Sequence, residues 1–182
     1  MNVAILNANL AAGGKTGHLA EVLAADFLAN GHAATIVSLA ERDLPACDGG
    51  LCYKNGNTIA LTAELAKADA LLLVSPIYNY DLNAAAKNLI ELTGYSWKGK
   101  AVGLVCTAGA EKSYLSPLAF LNSLATDYRC LVSPRYVYVT RADFNADNTL
   151  PEGGDIRRRL AFLAKEMEIL ADAAARIAAM ER

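Results

Sequence analysis

The sequence predicts a doubly wound α/β fold: a three-layer sandwich whose five-stranded parallel sheet, in the order 2-1-3-4-5, carries helices on both faces. Three observations predict it. Short apolar runs alternate strictly with amphipathic stretches along the 182 residues, which is the βαβ pattern. Those runs are apolar throughout, as in strands covered on both sides. The chain is 54% hydrophobic with much alanine, a composition suited to close helix–sheet packing and one that excludes disorder.

Residues 3–6 form the first strand. A helix over 16–30 follows, with Leu19, Val22, Leu23 and Phe27 on one face and Gly31 as its terminator. The second strand covers 34–39. A long loop, 41–56, is rich in Gly, Cys and Asp, and precedes a helix over 58–68 with Asn57 as its N-cap. The third strand, ALLLVS at 70–75, is stopped by Pro76. A helix over 83–93 is closed by Gly94, and the fourth strand, AVGLVC, spans 101–106. Pro117 lies in the first turn of a helix over 116–128. The fifth strand is 137–140, with an onset near Leu131. A second long loop, 141–154, leads to a last helix over 155–180. There Ile156, Leu160, Leu163, Met167, Leu170, Ala174 and Ile177 make a heptad-like stripe. The reading favoured for that stripe is packing on the sheet of its own domain. A helix–helix dimer seam is the alternative.

Several function classes fall away. The formal net charge is −2, and no stretch is basic enough to follow a nucleic acid backbone. The run Arg157-Arg158-Arg159 reads as a solvated helix face. No apolar window is long enough to cross a membrane, and the first residues lack an export-signal pattern. Cys47, Cys52, Cys106 and Cys130 therefore read as reduced thiols, and the expected location is cytoplasmic. His18 and His32 have no metal-ligand spacing, so no metal site is expected. No Gly-x-Ser-x-Gly elbow occurs.

Ligands of open α/β sheets sit beyond the C-terminal strand ends, where the strand order reverses. That point lies between strands one and three, so the loops after them should be neighbours. The first loop, 7–17, reads NANLAAGGKTG and runs into a helix. Its glycines let amides turn inward, and Asn9 and Thr16 offer side-chain donors. Lys15 at a helix N-terminus opposes the helix dipole, a conflict that a bound anion relieves. His18, just beyond, is placed to face the same anion. The loop is not a Walker A motif, because Asn9 stands where its first glycine belongs. Gly-x-Gly-x-x-Gly is absent too. A terminal monophosphate fits better, and a P-loop kinase is the weaker reading.

The loop after strand three is Ser75-Pro76-Ile77-Tyr78-Asn79-Tyr80, with Ala86-Lys87-Asn88 in the helix that follows. Its tyrosines offer flat apolar faces beside polar backbone, suited to a heteroaromatic ring. Here the chain resembles the NADPH-dependent FMN reductase family, a branch of the flavodoxin-like superfamily. The family's hallmark is Ser/Thr-Pro-x-Tyr-Asn followed by Leu-Lys-Asn. The resemblance covers about residues 3–140.

The resemblance implies a flavodoxin-like FMN-binding domain over 1–182, and an FMN-containing oxidoreductase that uses NAD(P)H. By it, Asn9, Gly14, Lys15 and Thr16 fall where the family grips the FMN phosphate. Pro76, Ile77, Tyr78 and Asn79 fall where it meets the isoalloxazine. Thr107, Ala108 and Gly109 fall at the other side of the ring. The acceptor class it implies is small: a flavin, a quinone or an azo compound. A homodimer or homotetramer is implied as well. No side-chain acid or base is expected to be essential, because the cofactor carries the chemistry. An electron-transfer flavoprotein without NAD(P)H turnover is the rival reading.

The sequence departs from the family at Ile77, often Glu, and at Tyr80, often Gly. Tyr80 and Tyr114 are expected to narrow the space for a nicotinamide. Iron–sulfur flavoproteins on this fold carry a cysteine cluster in the loop that holds Cys47 and Cys52. Such a cluster needs about four thiolates, and only this pair is at hand, so plain loop thiols are the expectation, with any redox role left open.

Overall fold

The computed structural model describes residues 1–11 and 13–180. Its strands and main helices are β1 (Asn2–Asn7), α1 (Gly14–Ala29), β2 (Ala33–Ser38), α2 (Gly56–Ala66), β3 (Ala70–Tyr78), β4 (Asp81–Leu82), α3 (Ala84–Thr93), β5 (Ala101–Ala108), α4 (Leu118–Thr126), β6 (Leu131–Val132), β7 (Val137–Thr140) and α5 (Asp155–Met180). The parallel sheet runs β2-β1-β3-β5-β6, with β7 also paired to β5. The fifth strand of the 2-1-3-4-5 order is thus broken in two. Its first half pairs with Ala101 and Val102, its second with residues Val105 to Ala108. Ser133 joins the two halves by donating its amide to the Val102 carbonyl at 2.8 Å.

Two cores flank the sheet. On one face, Leu19, Leu23 and Phe27 of α1 and Leu160, Leu163 and Met167 of α5 pack on Ile5, Leu72 and Val105. On the other, Leu61 and Leu65 of α2, Leu89 of α3 and Leu124 of α4 surround the buried Trp97. The heptad-like stripe of α5 follows the first core. Ile156, Leu160, Leu163, Met167 and Ala174 are buried, whereas Ile177 is exposed. The arginine run is more than a solvated face. Arg157 forks onto Asp26 of α1, and Arg159 donates to the Tyr136 carbonyl at 3.4 Å. Arg158 alone stays on the outside, paired with Asp155.

At two element ends the sequence reading fails for a local reason. Pro76 does not stop the strand: β3 continues to Tyr78. The β1 ladder ends at Val74, so no partner on that side asks Pro76 for an N–H, and Pro76 stays in register with Thr107 of β5. Asn55, not Asn57, caps α2, accepting from the amides of Asn57 and Thr58. The Asn57 side chain donates to the Asp43 carbonyl instead. At the end of α3, Gly94 follows the last residue, Thr93, as the sequence reading has it, but without a left-handed turn. It stays right-handed, and a Cβ there would lie 2.2 Å from the Tyr128 hydroxyl. Close approach, not backbone freedom, demands that glycine.

Candidate active site

The loops after β1, β3 and β5 meet at one end of the sheet, because their strands are adjacent and parallel. Two contacts lock them together. Asn83 donates its side-chain amide to the Ala8 carbonyl at 2.6 Å, joining the third loop to the first. The Thr16 and Thr107 hydroxyls lie 3.1 Å apart and buried, joining the first loop to the end of β5. A pair of hydroxyls uses one hydrogen for its mutual bond. The other remains to be donated outward.

The first loop is built from successive turns. The Asn7 carboxamide oxygen accepts from the Asn9 amide at 3.1 Å, and that of Asn9 accepts from the Ala11 amide at 3.3 Å. Gly13 and Gly14 follow with φ of 71° and 86°, values that only glycine adopts without strain. A Cβ at either would meet nothing within 4 Å. The glycines therefore serve conformation and leave open space in front of α1. Among the described residues no side chain caps α1, and its first turn holds no acid. Among the described residues no side chain satisfies its leading amides or offsets the helix dipole, the condition that binds a phosphate dianion. These residues fit the phosphate end of FMN.

Lys15 departs from the simple charge argument. Its ammonium sits 5.4 Å from the centre of the Phe144 ring, a cation–π contact that holds it against the loop after β7. His18 does not face the phosphate loop with its Nε2, which accepts from the Leu150 amide at 3.1 Å. Loop 141–154 is thereby tied to the first turns of α1.

The third loop is a tight hairpin. Tyr78 pairs with Asp81 and Ile77 with Leu82. Its two central residues, Asn79 and Tyr80, have φ of 52° and 62°. Two positive φ values in a two-residue hairpin loop mark a type I′ turn. The family's frequent glycine at position 80 now has a physical reason, and Tyr80 keeps the same turn under strain. The Ile77 side chain is buried in the core beside Leu82 and Ala86, so only its backbone is left for a ligand. Tyr78 and Tyr80 are more than half exposed, with flat faces open to a ring. In the loop after β5, Gly109 has no atom within 4 Å of where its Cβ would be. Tyr114 packs at 5.0 Å from Tyr136 and edge-on to Tyr138. The hydroxyls of those two tyrosines donate to the carbonyls of Tyr114 and Ala110, bracing the loop after β5.

A model of the NADPH-dependent FMN reductase family matches residues 1–143. The chain belongs to that family. As in the family, it is an NAD(P)H-dependent oxidoreductase with FMN as its cofactor. An NAD(P)H-dependent FAD/FMN reductase from Geobacillus thermodenitrificans is 28% identical over 134 residues, which is 72% of each chain. Among solved structures, an oxidoreductase from Corynebacterium diphtheriae superposes with a TM-score of 0.74 at 22% identity, covering 94% of this chain and 97% of its own. The NAD(P)H:acceptor oxidoreductase FerB of Paracoccus denitrificans gives 0.72 at 20% identity, covering 96% and 97%. At those identities the structural likeness speaks for the fold.

Two functional positions escaped the sequence reading. Asn83 caps α3 through the Ala86 amide, accepts from the Ser75 hydroxyl and holds the first loop, all from one carboxamide. An Asn directly before Ala84-Ala85-Ala86 was its signal as a cap. Its long-range bond had none. Asn88, from the Lys-Asn pair of the reductase hallmark, staples loop 41–56 to α3. It accepts from the Cys47 amide at 2.8 Å and donates to the Pro45 carbonyl at 2.9 Å. A cavity of about 610 Å³ lies beside this staple between Leu10, Leu44, Cys47 and Ala85.

Proposed function

We propose that residues 1–182 work as one FMN-binding domain in which the first loop holds the phosphate and the hairpin of the third loop meets the isoalloxazine. In this reading Gly14, Lys15 and Thr16 present the α1 amides, with the Asn9 side chain beside them. Pro76, Ile77 and Asn79 offer backbone groups to the polar ring edge, and Tyr78 offers its face. Thr107, Ala108 and Gly109 bound the other side. When bound, FMN would supply the redox chemistry between NAD(P)H and a small acceptor such as a flavin, a quinone or an azo compound. The chain's own part is to position the ring, keep one face open and neutralise the phosphate through backbone dipoles.

The observation that carries this reading is the Thr16–Thr107 contact beside an α1 with no side-chain cap, which ties the start of α1 to the end of β5. The test is a titration of purified protein with FMN, followed by NADH or NADPH under anaerobic conditions. Saturable binding and then bleaching of the flavin band are expected. Binding without bleaching by either nucleotide would return the electron-transfer reading.

A homodimer or homotetramer belongs to the same proposal. Tyr95, Leu115 and Leu118 are large apolar residues left exposed, and a partner subunit would cover them. Light scattering of the FMN-loaded protein decides it. No helix among the described residues is long and apolar enough to cross a membrane. The cysteines at 47, 52, 106 and 130 are all free, which supports work in a reducing compartment such as the cytoplasm.

A further inference from the structure

Loop 41–56 brings two thiols together for no reason the flavin site requires. Gly49 takes a left-handed φ of 71°, and the Asp48 carboxylate accepts from the amides of Gly50 and Cys52 at 2.8 and 3.0 Å. The tight turn returns the chain so that the Cys52 thiol donates to the Cys47 sulfur at 3.9 Å. The Tyr53 hydroxyl stands 3.5 Å from the same sulfur. Cys47 is held from behind, its amide bonded to Asn88 of α3. It is half-buried and lines the 610 Å³ cavity, whereas Cys52 is buried.

We propose that Cys47 and Cys52 form a reversible dithiol–disulfide site, with Cys47 as the attacking thiol and Cys52 as the resolving one, and with a small peroxide as oxidant.

The two sulfurs differ in the way such a pair requires. The Tyr53 hydroxyl and the Gly49 amide lower Cys47 from its ordinary value, favouring the thiolate that reacts. Burial, with the Asp48 carboxylate second, raises Cys52 and keeps its proton on. Cys47 faces the cavity, so a peroxide reaches it first. The Cys47 thiolate attacks one oxygen of hydrogen peroxide, the O–O bond breaks, and the leaving hydroxide takes a proton to become water. Cys47 is then a sulfenic acid. The Cys52 sulfur attacks Cys47, the S–O bond breaks, and a second water leaves with the Cys52 proton. The sulfurs lose two electrons in all, and both peroxide oxygens end as water. Closing from 3.9 Å to bonding distance requires side-chain rotation and a small adjustment of a turn that contains two glycines. A dithiol reductant reverses the step. Cys106 and Cys130 take no part. Both are buried, and burial pushes each up to about 12.

The test is mass spectrometry of the FMN-loaded protein after brief treatment with about one equivalent of hydrogen peroxide, alkylation and digestion without reductant. The expected result is a loss of about 2 Da in a peptide containing residues 47–52, restored by dithiothreitol. Cys52→Ser is expected to trap a sulfenic acid on Cys47, captured by dimedone, and Cys47→Ser is expected to show neither product. Wild-type protein that keeps all thiols alkylatable, or that advances to a sulfinic acid on Cys47 without the 2 Da loss, overturns the proposal. So does a disulfide found only between two chains. Flavin absorbance of each sample reports that the protein stayed folded.

Discussion

Helices α1 and α3 begin at the same end of the sheet, after neighbouring parallel strands, yet their N-termini are treated in opposite ways. The start of α3 is satisfied by its own chain: Asn83 accepts from Ala86, and its other bonds reach Ser75 and Ala8. The start of α1 has no side-chain cap among the described residues, and open space lies before it. The contrast separates scaffold from site. A side-chain cap stabilises the free protein and competes with any anion. In the proposed site, leaving the amides of α1 without a side-chain cap costs stability in the empty state, which a bound phosphate would restore.

The largest test of that contrast is Asn83→Ala. It removes a cap and leaves the buried Ala8 carbonyl without its donor, so a loss of about 2–4 kcal/mol is expected in chemical denaturation. FMN affinity should fall with it, because the first loop loses its tie to the third. Gly14→Ala probes the other helix. Its Cβ meets no atom, so the damage is conformational strain of about 1–2 kcal/mol. If that strain is relieved by distorting the loop, FMN binding weakens roughly tenfold in a fluorescence titration. A Gly14→Ala protein with unchanged FMN affinity would break the comparison.

Tyr80→Gly sharpens it from the side of the hairpin. With φ of 62° at position 80, glycine is expected to raise stability by about 1 kcal/mol. The same change removes an exposed ring beside Tyr78. A lower KM for the nicotinamide substrate would show that Tyr80 restricts its approach.

The smallest effect concerns pH. The side chain of Cys52, then its amide and that of Gly50, hold the Asp48 carboxyl down from 3.8 to about 2. A depressed carboxyl stabilises the fold fully above its unfolded value and ceases to as pH falls through the folded one. Acid loosening of loop 47–52 is therefore expected between about pH 4 and pH 2, read as lost protection of the Cys52 amide in hydrogen exchange. Asp48→Asn should flatten that part of the profile.

The order of the elements was readable because each strand is a compact apolar run and each helix has a 3.6-residue stripe. The choice of the first and third loops followed from that order and a topological rule. The broken fifth strand was not readable, since residues 131–140 contain two short segments that pair with different ends of β5. Nor was the continuation of β3 past Pro76, which depends on where the neighbouring β1 stops.

By itself, the sequence determined what local chemistry decides: apolar periodicity, glycines in a loop that enters a helix, and a Ser-Pro-Ile-Tyr-Asn segment after a buried strand. Tertiary structure alone decided which polar atoms find partners across the chain. Thr16 meets Thr107 across 91 positions, Asn83 meets Ala8 across 75, and Cys47 meets Asn88 across 41. A hydrogen bond depends on distances within a few tenths of an ångström, and no pattern along the sequence encodes such distances between residues so far apart.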